Sequence, residues 1–438
     1  MSGAFFAPVG ELAALAPENW PDALFSSRHL IYSSPATLAF NSPGAQGFGV
    51  KRAALSIPGS VMLLFSPGCC GRNTSAVGGP DGRYGSRMRY LMLDETDIVT
   101  GRYLNRIVEA VREICESAEE RPSAVLLCST CVDALLGTDM ERVCRRASAE
   151  SGLPVLSCTM YALTREGRLP PMVLVRRTIY SLLEKAEKQA DAMNILGYFT
   201  PLRDDCELYG LCRGAGIRRI REIGRCRNMD EYREMAGANF NLVLHPESRL
   251  AASWMAETLG IASVELTRSY QPGKIRAQYA MLGQVLGVRF DDGEHFEKAS
   301  EELAAFVRRH PGLRIAVGET ANADPFELSL ALLRAGLAVV EIFATVDSAH
   351  AVLLKGIAGL TPETRLYSNL SPSMLLYRQK EGEVDLAIGQ DAGWYHPGCP
   401  CVPWNGESQP FGYAGLRALL EEMERALSGG ASCAGGRL

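Results

Sequence analysis

Two short stretches deliver cysteines on flexible backbone at the ends of apolar runs. Val61-Met62-Leu63-Leu64-Phe65 leads into Ser66-Pro67-Gly68-Cys69-Cys70-Gly71. Ala124-Val125-Leu126-Leu127 leads into Cys128-Ser129-Thr130-Cys131. A short apolar run that stops at Pro-Gly is a buried strand opening into a loop. Glycine there lets backbone approach a bulky group, and the C-terminal edge of a parallel sheet is where ligands bind. Thiolates are the ligands of iron–sulfur clusters. Four of them also suit a closed zinc site, and a free cysteine packs equally well as a small apolar group. The adjacent pair Cys69-Cys70 suits a cluster of several metal atoms better than one ion, because neighbouring side chains diverge. On the residues alone all three uses stay open, and an iron–sulfur cluster is the working reading.

The elements that must position these thiols are those of a large α/β chain. With 438 residues the chain exceeds one compact core and predicts two or three domains. Apolar residues make up 47% and charged residues 22%, as in an ordinary globular protein. A net charge of −5 gives no support for a nucleic-acid partner. No apolar run reaches the length of a membrane span, and no basic-then-apolar leader opens the chain. No membrane partner and a cytoplasmic location are expected. Thirteen cysteines under those conditions argue for metal, redox chemistry or buried thiols rather than a disulfide framework.

Periodicity places strands at Val61–Phe65, Ser123–Leu127 and Pro154–Ser157. Helices are expected at Gly101–Ala118, Asp139–Ser151 and Tyr180–Met193. The stretch Phe40–Val50 is loop-like. A second run of strands follows at Asn194–Phe199, Ile217–Ile223, Asn239–Leu244 and Ala262–Leu266, with helices at Arg249–Leu259, Ile275–Leu286 and Glu294–Arg309. A third holds strands Leu313–Gly318, Leu337–Phe343 and Val384–Gly389 and helices Phe326–Ala335 and Tyr413–Leu427. The fold class predicted is α/β, three Rossmann-like domains with mainly parallel sheets. Their bounds are 1–190, 191–310 and 311–438, the last with a C-terminal helix and a Gly-, Ala- and Ser-rich tail. P-loop and GxGxxG motifs are both absent, so Rossmann-like units here need not mean a nucleotide.

Three motifs in order give a resemblance. Ser66–Ser75, Thr96-Asp97-Ile98-Val99-Thr100-Gly101 and Cys128-Ser129-Thr130-Cys131-Val132-Asp133-Ala134-Leu135-Leu136-Gly137-Thr138-Asp139 resemble characteristic segments of the nitrogenase component 1 family. That family includes the nitrogenase α and β subunits, their cofactor-assembly scaffolds and the light-independent tetrapyrrole reductases. The resemblance implies an iron–sulfur cluster, 4Fe–4S or an 8Fe–7S P-cluster-like group, at the interface with a homologous subunit. It implies a heterotetramer of two α-like and two β-like chains, fed by an ATP-dependent iron protein. Cys69 or Cys70, and Cys131, fall on family ligand positions, while Cys128 reads first as a buried strand residue. The family's earlier cysteine has no counterpart in residues 39–50, where Ser42 is the nucleophilic side chain, and the doubled Cys69-Cys70 is one way to fill that place.

The resemblance also marks a second site. His245 stands near the place where the nitrogenase α subunit puts a cysteine on its iron–molybdenum cofactor. Cys399 and Cys401 stand in the region of the family's histidine ligand. Imidazole and thiolate are both competent iron ligands, so a FeMo-cofactor-like group or its precursor is an expectation for His245, Cys399 and Cys401. A capping role for the histidine and burial for the thiols are the plain alternatives. His396 is a candidate proton donor or a group behind the ligands, with a satisfied surface histidine as an equal alternative. Cys206 and Cys212 are expected to be packed or solvent-facing rather than metal ligands, and Glu294, Glu297, Glu301 and Glu302 to form a solvated helix face. The functional expectation is a subunit of a nitrogenase-like reductase acting on a bond such as the C–S bond of a methylthio-alkane. The alternatives are a metal-cofactor assembly scaffold and a tetrapyrrole reductase subunit.

Overall fold

The computed structural model describes residues 3–25, 36, 49–68, 85–130, 136–160, 169–380 and 382–429. Cys69, Cys70, Cys131, most of 39–50 and the tail from 430 lie outside the described residues. The chain divides into two compact units. The first comprises residues 43–201 and 216–267, and the second comprises 1–42, 202–215 and 268–438.

A short strand, β1 (Ala7–Pro8), belongs to the second unit's sheet. The first unit opens with β2 (Val61–Ser66), β3 (Met88–Met92), β4 (Val125–Ser129) and β5 (Val155–Thr159). They form a parallel sheet in the order β3-β2-β4-β5. Every residue of β2 is buried. Met62 and Leu64 enter one apolar cluster with Leu126 and Cys128, while Val61, Leu63 and Phe65 enter another with Val125 and Leu127. A strand covered on both faces is why this segment is a continuous apolar run rather than an alternating one. The helix Tyr103–Ser117 covers one face through Ile107, Val108, Val111 and Ile114, the helical spacing expected.

The same unit carries a second sheet of β6 (Gln189–Leu196), β7 (Arg219–Glu222), β8 (Ala238–Val243) and β9 (Ala262–Glu265), parallel in the order β7-β6-β8-β9. Here the helix expected over Tyr180–Met193 is corrected. The helix is Pro171–Thr178, and the chain is already in β6 at Gln189. Glutamate, lysine and alanine around 184–192 favour a helix by propensity, but pairing with β7 and β8 on both sides outweighs it.

The second unit holds β10 (Arg314–Gly318), β11 (Ala338–Phe343), β12 (Arg365–Tyr367), β13 (Leu386–Ile388) and β14 (Cys401–Val402). The order is β1-β12-β11-β10-β13-β14, parallel except for β1. Glu207, 5% exposed, caps the helix Gly412–Leu427 by accepting from Tyr413 N–H at 2.7 Å and Ala414 N–H at 3.0 Å. A carboxylate at a helix N-terminus is favoured by the orphan amides and the dipole there. Cys206 and Cys212 are buried in this region, the packed alternative. Among the described residues no helix is long and apolar enough to cross a membrane.

Each sheet has one place where the strand order reverses. These are β2/β4, β6/β8 and β10/β13, and in open parallel sheets the crevice outside such a point is the ligand site.

Candidate functional site

At the first switch point Phe65 on β2 stands opposite Ser129 on β4. The chain toward Cys69 and Cys70 and the chain toward Cys131 therefore leave neighbouring strands at one edge. Tyr90 on β3 ties down the first loop, its hydroxyl 3.0 Å from Ser66 Oγ and donating to Pro67 O at 2.8 Å. Ser129 Oγ, Thr130 Oγ1 and Thr159 Oγ1, at or just beyond the ends of β4 and β5, are buried hydroxyls without a hydrogen-bond partner. Orphan buried donors are rare, and at this edge they fit a group with acceptor atoms, as the sulfurs of a cluster are. Among the described residues no three His, Cys, Asp or Glu side chains group to hold a metal ion. The expected set Cys69, Cys70 and Cys131 lies outside them.

Cys128 takes a different place. It is fully buried, opposite Cys158 on β5. The hydrogen bond from Cys128 and then burial push the Cys158 thiol well up. The two thiols pack against each other inside the sheet, within the apolar cluster that holds Met62, Leu64 and Leu126.

The Thr96–Gly101 motif is a helix start. Asp94 and Asp97 form a reciprocal capping box at the helix Glu95–Val99. Asp97 has no exposed surface, receives Arg102 Nε at 2.8 Å and pairs with Arg106. Burial raises its carboxyl, and the bonds from Arg102 and the Asp94 backbone outweigh that, leaving it below the usual range. The motif's aspartate thus pins the entry of the helix Tyr103–Ser117.

At the second switch point Gly197 follows β6 with φ +138°, and a Cβ there would lie 2.8 Å from His245 N. Only glycine lets the two exits run this close. His245 is half-buried, its ring edge-on to Tyr198. Its Nδ1 accepts from Glu247 N–H at 3.3 Å, which places the neutral ring's proton on Nε2. Glu247 reaches Arg176 Nη2 at 3.1 Å.

At the third switch point two carboxylates share donors. Asp391 has no exposed surface and accepts from Glu319 N–H at 2.9 Å, Thr320 Oγ1 at 2.7 Å and Asn369 Nδ2 at 2.7 Å. Glu319 accepts from Asn369 Nδ2 at 3.0 Å and Thr345 N–H at 2.7 Å. Burial raises both carboxyls, and the Asp391 charge raises Glu319 further. An acid whose folded-state pKa is raised binds more protons folded than unfolded, so its contribution to stability falls as pH rises through that raised pKa. Glu319→Gln should flatten this slope, seen as a smaller drop in thermal midpoint between about pH 5 and about pH 8. An unchanged drop would remove Glu319 from the cause.

Cys399 is half-buried, its thiol donating to Val384 O at 3.0 Å, and burial raises its pKa. Cys401, 1% exposed, opens β14 and is disulfide-bonded, so in this form its sulfur offers no thiolate. His396 is 1% exposed, its Nε2 2.7 Å from Glu341 Oε2 and 3.2 Å from Tyr377 Oη. It belongs to a buried polar network that Arg365 joins through Glu341 at 2.8 Å. His245 lies in the first unit and Cys399 and Cys401 in the second.

The family described as nitrogenase component 1 type oxidoreductase matches residues 45–428. The chain belongs to that family. Its relatives include the nitrogenase iron-molybdenum cofactor biosynthesis protein NifE of Klebsiella pneumoniae, 28% identical over 215 residues, 45% of this chain and 46% of that protein. NifE of Rhizobium meliloti (strain 1021) is 31% identical over 128 residues, 28% of this chain and 26% of that protein. A subunit of the light-independent protochlorophyllide reductase of Chlorokybus atmophyticus is 28% identical over 181 residues, 37% of this chain and 34% of that protein. The matched stretches thus span less than half the length of these relatives. The solved structure "Nitrogenase Cp1 at pH 6.5" superposes with a TM-score of 0.68 at 15% identity, over 92% of this chain and 94% of that one, which shows the shared three-sheet α/β fold.

In this component 1 chain the sequence picked out the strand ends and missed the groups around them. Cys158, Glu319 and Asp391 lie close to the C-terminal end of a strand, and Arg176 follows the apolar run Met172–Val175 of a helix. The available signal was a charged or thiol residue within a few positions of an apolar run's C-terminus.

Proposed function

We propose that the chain is a scaffold-type component 1 subunit on which a metal cofactor is built and handed on. It pairs with a homologous subunit and holds an iron–sulfur cluster through Cys69, Cys70 and Cys131 at their shared face, with an iron protein as electron donor. The observation that supports this reading is that β2 and β4, after which the sequence runs on to Cys69, Cys70 and Cys131, are neighbouring strands, with the unpartnered hydroxyls of Ser129, Thr130 and Thr159 at that end of the sheet. The cluster, when bound, supplies one-electron transfer. This chain's residues hold it, shield it, and donate hydrogen bonds toward its sulfurs from Ser129 and Thr130. The NifE matches favour a scaffold over the C–S bond reductase, for which these relatives give no support. His245, after shifting its ring proton to Nδ1, is a candidate ligand for the growing cofactor in the first unit, and Cys399 and Cys401, the latter once its disulfide is reduced, are candidates in the second.

A reductase reading has its own support in the match to the protochlorophyllide reductase. One experiment separates the two. The anaerobically purified complex is given an iron protein, ATP and candidate substrates, then mixed with a cofactor-free acceptor protein. A scaffold takes up electrons, reduces no substrate and passes metal to the acceptor. Turnover of a tetrapyrrole without metal transfer would replace the scaffold reading.

A further inference from the structure

The chain leaving β6 and the chain leaving β8 enclose a cation that is only partly satisfied. Arg176, on the helix Pro171–Thr178, is 6% exposed. One nitrogen, Nη2, reaches Glu247, which is itself about one-third exposed and shares its charge with solvent. The guanidinium carbon lies 4.3 Å from the centre of the Phe199 ring. Nε and Nη1 are buried and have no hydrogen-bond partner. Burial works against this charge, and Glu247 works for it, but a guanidinium does not escape by losing its proton. Leaving two charged donors unpaired carries their whole desolvation penalty. Phe199 follows β6, Glu247 follows β8, and those two strands form the switch point of their sheet. The orphan donors therefore sit where an open parallel sheet takes its ligand.

We propose that Arg176 anchors an oxyanion site in this crevice, binding a carboxylate- or phosphate-bearing small molecule through Nε–H and Nη1–H. Guanidinium is the side chain best matched to those groups. Glu247 holds the fork in place through Nη2 and, as a neighbouring negative charge, weakens the incoming anion. The site needs no bound cluster, so it stands or falls apart from the scaffold reading.

The test uses the purified full-length protein titrated separately with citrate and with inorganic phosphate, followed by calorimetry and by thermal midpoint. Saturable binding of either anion is expected, and the tighter arm names the source. Arg176→Met should weaken it about tenfold or more without lowering the midpoint of the anion-free protein, since an underpaired buried charge has been removed. Glu247→Gln should tighten it, an opposite sign that a purely structural ion pair does not produce. Should Arg176→Met fail to fold, the sign of the Glu247→Gln effect decides. No saturable binding by the parent, undiminished binding by Arg176→Met, or weaker binding by Glu247→Gln would each overturn the site.

Discussion

Cys131→Ala should reduce the iron and sulfide of the anaerobically purified complex by one cluster per subunit pair, and Cys128→Ala should leave both at the parent level. The two residues are close in sequence but differ in what strand β4 does with them. Cys128 lies inside the strand, fully buried and hydrogen-bonded to Cys158 on the neighbouring strand. Its loss leaves a small cavity and costs on the order of 1–2 kcal/mol in a close-packed core, a stability effect with no metal readout. Cys131 follows Ser129 and Thr130, beyond the edge where the Cys69 loop also starts. A thiolate ligand removed there opens the coordination of the cluster itself. Iron analysis and EPR on matched preparations check the pair. Equal iron in Cys131→Ala and parent would place the ligand elsewhere.

Gly318→Ala should be strongly destabilising to the second unit. Gly318 ends β10, and a Cβ built on it would overlap the carboxylate of Asp391. Asp391 has no slack to give. It holds Glu319 N–H, Thr320 and Asn369 at once, and even Gly389 leaves it no room for a side chain, since a Cβ built there would lie 2.8 Å from its Oδ1. Displacing it loses bonds to a buried charge as well as overpacking the site, a sum of about 3–5 kcal/mol. The expected result is a thermal midpoint several degrees lower and loss of the pH slope that Glu319 and Asp391 share. Gly273→Ala is a fitting control, because a Cβ there meets nothing within 4 Å. Equal midpoints for Gly318→Ala and Gly273→Ala would show that the carboxylate knot relaxes freely.

The sheets were legible because their central strands are buried on both faces, and such strands are written as unbroken apolar runs. Val61–Phe65 and Ile315–Val317 are of this kind. Other strands carry no such mark. β3 (Met88–Met92), at a sheet edge, has a mixed burial pattern, and β12 and β14 hold only 3 and 2 residues, too short for any period to show. β6 was misplaced because its first half has helical composition and only its partners make it a strand. The cysteine loops announced themselves through glycine, proline and paired thiols. Arg176, Glu319 and Asp391 did not, since their roles arise from strands far apart in sequence, as when β10 and β13 meet. His396 looked like a surface group beside Pro-Gly, but Glu341 and Tyr377, distant in sequence, enclose it.

The central claim is that metal sits at the C-terminal edge of β2 and β4, held by Cys69, Cys70 and Cys131. Anomalous X-ray scattering from anaerobic crystals of the chain with the subunits that co-purify with it tests this most directly. Data collected on both sides of the iron edge should show an iron peak beyond Ser66 and Ser129, within bonding distance of those cysteines. A zinc signal there without iron, or no metal at that edge while iron is found elsewhere in the complex, would contradict the account.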